Sequence, residues 1–190
     1  MKSQKGSTFE RAICRTLSMW FSEGASDAIF WRSAQSGGMA KVRSKVGKKT
    51  FGSYGDISAV HPSGLALTQT CLLELKRGYK QWSPFDVLDA KPKGSATKPA
   101  KQTFENFIDQ ISADKRISGI PYSALIYQRD HRHAGIAVET PLLMKMRSHC
   151  GPFNFGFIRY KVKVDYTFLT LDAFLEWANP QFFVEHYKGD

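Results

Sequence analysis

Apolar residues Phe9, Ile13, Leu17 and Trp20 recur at the spacing of one helical stripe, with polar residues between them. Ser7-Thr8-Phe9-Glu10 reads as a capping box, Ser7 at the N-cap and Glu10 three residues on, which predicts a helix over 7–22. A turn at Glu23-Gly24 precedes a short apolar strand over 28–32. Residues 54–61 alternate as a strand does, and Pro62-Ser63-Gly64 punctuates them. A second strand, rich in Leu and Thr, is expected over 65–77. Phe104, Phe107, Ile108 and Ile111 mark the buried side of a helix over 102–116, ended by Gly119-Ile120-Pro121. Strands over 122–128 and 134–139 flank a polar turn at 130–133. Further on come a strand-like run over 155–164 and a helix near 171–178, capped by Thr170. The order is helix, three strands, helix, strand, then an α+β part, with no internal repeat. It predicts one α/β domain over 1–190, with a core at about 7–139 and an extension at about 140–190.

Composition narrows this picture. A chain of 190 residues can bury a real core, and 42% hydrophobic with 13% aromatic residues excludes a disordered polymer. Lys and Arg outnumber Asp and Glu by 27 to 17, a net charge of +10. Such an excess attracts polyanions, nucleic acid first and anionic membrane second. Part of it sits in a glycine-rich segment, 36–55, which carries Lys41, Arg43, Lys45, Lys48 and Lys49 without a single acid. A second basic stretch, 91–101, lies in a loop broken by Pro92, Gly94 and Pro99. Cys14, Cys71 and Cys150 are odd in number and lack CxxC spacing, which suits a reducing, cytoplasmic setting. The first residues are polar, unlike a signal peptide, and no run of apolar residues is long enough to predict a membrane span.

The chemistry concentrates in one strand. Glu74 and Lys76 interrupt the apolar run Cys71-Leu72-Leu73-Glu74-Leu75-Lys76, and alternation puts both on one face with Leu73 and Leu75 on the other. A charged pair inside a core-grade strand costs desolvation energy that a bound cation and a phosphate offset. The preceding strand supplies Asp56. Asp56 and Glu74 then converge on Mg²⁺, a hard ion wanting oxygen, with the Leu75 carbonyl as a third ligand. Lys76 orients the attacking water and steadies phosphate charge. Glu10 reaches the same site from the first helix, through water or a second metal; the capping box is its other reading.

An acid at the end of one strand followed by acid-x-Lys on the next resembles the PD-(D/E)xK phosphodiesterase superfamily, of restriction-endonuclease-like fold. The match is Gly55-Asp56 with Glu74-Leu75-Lys76. Phe9-Glu10-Arg11, and Arg32-Ser33 with Ser36-Gly37, are similar to Holliday junction resolvases and phage nucleases of that superfamily. The order of elements over 7–128 is similar to its α-β-β-β-α-β core, a mixed sheet flanked by helices. The resemblance implies a metal-dependent endodeoxyribonuclease, using Mg²⁺ with Mn²⁺ as a substitute, acting on DNA that is branched in the closest-looking relatives. It also implies a homodimer, and a catalytic role for Gln110 on the second helix, whose other reading is a solvated face. The alternatives are a DNA-binding module of the same fold that does not cut, and a general duplex or end-processing nuclease.

Arg32 and the five basic residues between 41 and 49 are expected to track phosphates, with simple solvation as the competing reading. His131 and His133 read as a polar turn, and His149-Cys150 is too isolated for a metal site. Phe153, Phe155, Phe157 and Tyr160 read as core. The Gly before Asp56 departs from the superfamily's usual Pro. A tight hairpin centred on Ser63 would set Asp56 opposite Thr70, short of Glu74, so a longer connection is predicted.

Overall fold

A twenty-residue helix, α1 (Lys2–Phe21), is the first element of the computed structural model, which describes residues 2–33, 54–78, 104–154, 156, 158–161 and 165–187. Ser7 therefore lies inside the helix and is not its N-cap. Lys and Gln are good helix formers, and the helix runs back through them to Lys2. Phe9, Ile13, Cys14, Leu17 and Phe21 form its buried stripe. The buried Ser18 hydroxyl donates to the Cys14 carbonyl at 2.8 Å and accepts from the amides of Ile29 and Phe30. That side chain ties the helix to the start of the first strand.

The first two strands are shorter than the alternation suggests. β1 (Phe30–Arg32) pairs antiparallel with β2 (Ile57–Ala59), in the register Phe30 with Ala59, Trp31 with Ser58 and Arg32 with Ile57. A 3₁₀ turn (Pro62–Gly64), capped by the His61 side chain, leads into a six-residue helix, α2 (Leu65–Thr70). Residues 65–70 are thus helical where a strand is expected. Leu, Ala and Gln favour the helix, and Ala66 and Leu67 bury themselves in the core from it.

β3 (Cys71–Arg77) pairs in parallel with β4 (Tyr122–Gln128), and the long helix α3 (Phe104–Ser118) lies between them in the chain. β4 pairs antiparallel with β5 (Gly135–Glu139). Beyond it come α4 (Thr140–Cys150), β6 (Ile158–Lys161), β7 (Asp165–Thr170), α5 (Leu171–Trp177) and α6 (Gln181–His186). The Thr170 hydroxyl caps α5 as predicted, accepting from the Ala173 amide. The strand order is β3-β4-β5-β7-β6, a mixed sheet.

Helices cover both faces. On one, Leu73, Leu75, Ala124, Ile126, Ile136, Val138 and Leu169 meet the buried sides of α1, α2, α4, α5 and α6. On the other, Leu72, Leu125, Ala137, Tyr166 and Phe168 meet Phe104, Phe107, Ile108 and Ile111 of α3. Residues 140–187, read as an extension, supply two strands of the central sheet and share its main core. The Trp20 indole of α1 donates to the Ala178 carbonyl at 3.0 Å and lies against Phe174 and Phe183.

Candidate active site

Asp56 sits where the β1–β2 hairpin meets the main sheet. Its amide donates to the Leu73 carbonyl at 2.8 Å, and its carbonyl accepts from the Ser33 amide at 2.9 Å. Its carboxylate Oδ2 accepts from the Leu75 amide at 2.8 Å. Gly55 makes this approach feasible. It has φ +77°, and a Cβ there would lie 2.6 Å from the Leu73 oxygen. Proline, locked near φ −65°, does not fit, which gives a physical reason for Gly55 at this position. The longer connection is also present: the 3₁₀ turn and α2 take up residues 62–70, so Asp56 meets Leu73 and Leu75 rather than Thr70.

Glu74 and Lys76 project from the face of β3 that α3 covers. Lys76 Nζ lies 2.5 Å from Glu74 Oε1 and 5.4 Å from the centre of the Phe107 ring. Gln110 Nε2, one helical turn past Phe107, donates to the same Oε1 at 2.8 Å. The two charged side chains are only 5% and 14% exposed. Burial and then the neighbouring Glu74 carboxylate push the Asp56 carboxyl up to about 7; the Leu75 amide and Lys76 oppose them, and Glu10 adds to the rise. Asp56, Glu74 and Lys76 thus act on one another within one buried locality.

Glu10 comes from α1 and forms an ion pair with Arg32 of β1. Its charge bears on Asp56, but its carboxylate is held by that guanidinium. Two further polar atoms lie close by in the chain. Ser33 Oγ and Arg77 Nε are buried and have no hydrogen-bond partner among the described residues. The Arg77 guanidinium lies 5.6 Å over the Phe9 ring. Ser33 belongs to the Arg32-Ser33 segment of the resemblance but has no role assigned from sequence, and Arg77, directly after the acid-x-Lys triplet, is not singled out there. Lys41, Arg43, Lys45, Lys48 and Lys49, and the stretch 91–101, lie outside the described residues.

The donor chemistry fits a hard divalent ion. Asp56 and Glu74 offer carboxylate oxygens, and the Leu75 carbonyl lies in the strand between Glu74 and Lys76. Among the described residues no three His, Cys, Asp or Glu side chains group to hold an ion. Two carboxylates with the rest from backbone and water is the usual set for Mg²⁺. Elsewhere, His149 Nδ1 lies 3.4 Å from Glu185, and Cys150 Sγ accepts from the Asn179 amide. Phe153 packs on Trp177 with ring centres 4.9 Å apart. The side chains of Phe155, Phe157 and Tyr160 lie outside what is described. All three cysteines are free thiols, and among the described residues no helix is long and apolar enough to cross a membrane.

This α/β chain, with its mixed, helix-flanked sheet and its acid, acid-x-Lys set, belongs to the PD-(D/E)xK superfamily. More narrowly, the chain belongs to the family described as "Phage putative PDDEXK endonuclease", which matches residues 1–185. Comparison with curated proteins and with solved structures gave no match.

Proposed function

We propose that this protein is a metal-dependent endodeoxyribonuclease that hydrolyses DNA phosphodiester bonds at Asp56, Glu74 and Lys76, on a core of restriction-endonuclease type. The observation that carries this reading is the clasp of Asp56 onto the Leu75 amide, beside a Glu74 already shared by Lys76 and Gln110. It brings the two acids of an interrupted motif together across a helix-containing connection. The order α1, β1, β2, β3, α3, β4 supports the fold assignment.

Asp56, Glu74 and the Leu75 carbonyl would hold Mg²⁺, or Mn²⁺ in its place, which supplies charge neutralisation and an activated water at neutral pH. The chain's own groups do the rest. Lys76 directs its ammonium toward the Glu74 side of the site, where it orients the attacking water and steadies the charge that develops on the phosphate. Gln110 fixes the Glu74 carboxylate from α3, so the acid keeps one orientation. Glu10 and Arg32 close the α1 side, and the Glu10 charge adds the smallest share of the rise at Asp56. Water is the nucleophile, and no enzyme residue becomes covalently attached.

For the substrate we favour branched DNA bound by a homodimer. Two basic segments, 41–49 and 91–101, flank the catalytic strands in sequence, and a dimer doubles them into four phosphate-tracking arms that need not read bases. The test is cleavage of linear duplex, flap, four-way junction and single strand, matched for total phosphates, with Mg²⁺ or with EDTA. Metal-dependent cutting with preference for the junction is expected. Cutting that survives EDTA overturns the assignment, and equal rates on all duplex forms overturn the branched reading alone.

A further inference from the structure

Alternation along the strands sorts the residues near Asp56 onto two sides. Phe30, Ile57, Leu73 and Leu75 join the core beneath α1, and Ala59 packs against it. Arg32 turns to the same side, toward Glu10. Leu72 joins the core beneath α3, Glu74 bonds Gln110 there, and Tyr54 packs against the α3 side. By the same parity Asp56, Ser58 and Trp31 belong to the side of Glu74 and Lys76. Trp31 stands directly across from Ser58, and is therefore the diagonal neighbour of Asp56, roughly 7 to 8 Å away between backbones.

Trp31 is 45% exposed. Its strand neighbour Phe30 is fully buried, so the hairpin has a core side and places its largest side chain on the other. An open indole on the same side as the carboxylates, in a chain of net charge +10, suits a ligand that is both anionic and flat. Nucleic acid is both. A paired base hides its ring face in the stack, whereas an unpaired base presents it, and every base has one.

We propose that Trp31 stacks on an unpaired or unstacked base of the DNA strand that lies across the Asp56–Glu74 site, and so selects substrates, a branch point or a single-stranded overhang, that present a base face there. This inference rests on the nuclease reading above. Trp31 positions the strand and takes no part in the bond cleavage.

The test compares the wild-type protein with Trp31→Ala and Trp31→Phe, using Ca²⁺ in place of Mg²⁺ to keep the DNA whole. The probes are a duplex with a single-stranded overhang and a blunt duplex of equal phosphate number. Trp31→Ala is expected to bind the overhang DNA on the order of tenfold more weakly, with blunt-duplex affinity unchanged and Trp31→Phe close to wild type. A 2-aminopurine in the overhang should be quenched by the wild-type protein, a readout that needs no variant to fold. No quench, equal affinities for all three proteins, or equal loss on both DNAs overturns the proposal. So does a change of sedimentation in Trp31→Ala, which makes the indole a contact between copies. If the wild-type protein binds neither DNA, the nuclease reading itself fails and the inference falls with it.

Discussion

The sheet carries two nearly buried carboxylates that each face a lysine, and they differ in how completely the protein satisfies them. Lys115 Nζ lies 2.7 and 2.9 Å from the two oxygens of Glu139. The Ser123 hydroxyl lies 2.5 Å from Oε1, with the Tyr166 hydroxyl 2.7 Å behind it. Charge balances, and both carboxylate oxygens are occupied from within. At Glu74, Lys76 and Gln110 both converge on Oε1, and a second carboxylate, Asp56, stands beside it. Among the described residues the first network is closed, and the second sets two carboxylates, Asp56 and Glu74, against one lysine. A buried acid–lysine pair is therefore no mark of chemistry by itself. The surplus acid is what distinguishes the site.

The widest separation between the two regions should come from deleting one group in each. Glu74→Ala is expected to slow cleavage on the order of 10³-fold or more, as should Asp56→Ala and Lys76→Ala. Stability should change little, because Asp56 remains as a counter-charge for Lys76 and is relieved of Glu74. Lys115→Ala strands a buried Glu139 and should cost about 3 kcal/mol of stability, with cleavage per folded molecule retained. Single-turnover rates and urea titrations on both variants measure the pair of effects. The comparison breaks if Glu74→Ala cuts at the wild-type rate.

A smaller effect is expected at the support of the site. Gln110→Ala leaves the acids in place but frees the Glu74 carboxylate, and should cost about 10- to 100-fold in metal affinity or rate. Metal titration of cleavage would read it, and no change would leave the Gln110 bond to Glu74 without a part in the reaction.

Acidity sharpens the contrast further. The Asp56 carboxyl stands at about 7 in the folded chain against 3.8 for an ordinary aspartate. The folded state thus holds the proton more tightly, so this group's contribution to stability is complete below about pH 4 and lost as pH rises through about 7. Above that range two ionised acids and one lysine remain, and a divalent cation should restore what is lost. The rise in melting temperature on adding millimolar Mg²⁺ or Ca²⁺ should therefore be larger at about pH 8 than at about pH 5.5. A rise independent of pH would separate the cation from Asp56. The mildest prediction concerns the acid-free segment. Neutralising Lys41, Arg43, Lys45, Lys48 and Lys49 together should make the log–log salt dependence of DNA binding shallower by roughly 4 to 5 units if all five meet phosphates. An unchanged slope would make them solvated surface.

The acid-x-Lys strand was legible because two charges in an apolar run demand an explanation, and alternation alone assigns their faces. The helix α3 was legible from its strong helical period, and the strand β4 from an apolar run bounded by Pro121 and by the polar turn after Gln128. Residues 65–70 were not, since a short apolar stretch has no period long enough to tell strand from helix. The helix there is settled by tertiary contacts of Ala66 and Leu67. α4 went unassigned because Pro141 and a scatter of basic residues weaken its stripe, although Pro at the first turn suits a helix start. The position of Gly55 depends on how closely Leu73 approaches, a distance that no local pattern encodes. Ser33 and Arg77 stand out only once their burial is known.

The short helix α2 packs against α6. In the order of synthesis β3 is made long before α6, and domains fold as units, N-terminal parts first, as they emerge. The strand bearing Glu74 and Lys76 thus leaves the ribosome without the brace that seats its connection to Asp56. A growing chain carries Asp56, Glu74 and Lys76 before the helix that packs on their connection exists, and on the nuclease reading the acids come together when the domain folds as a unit.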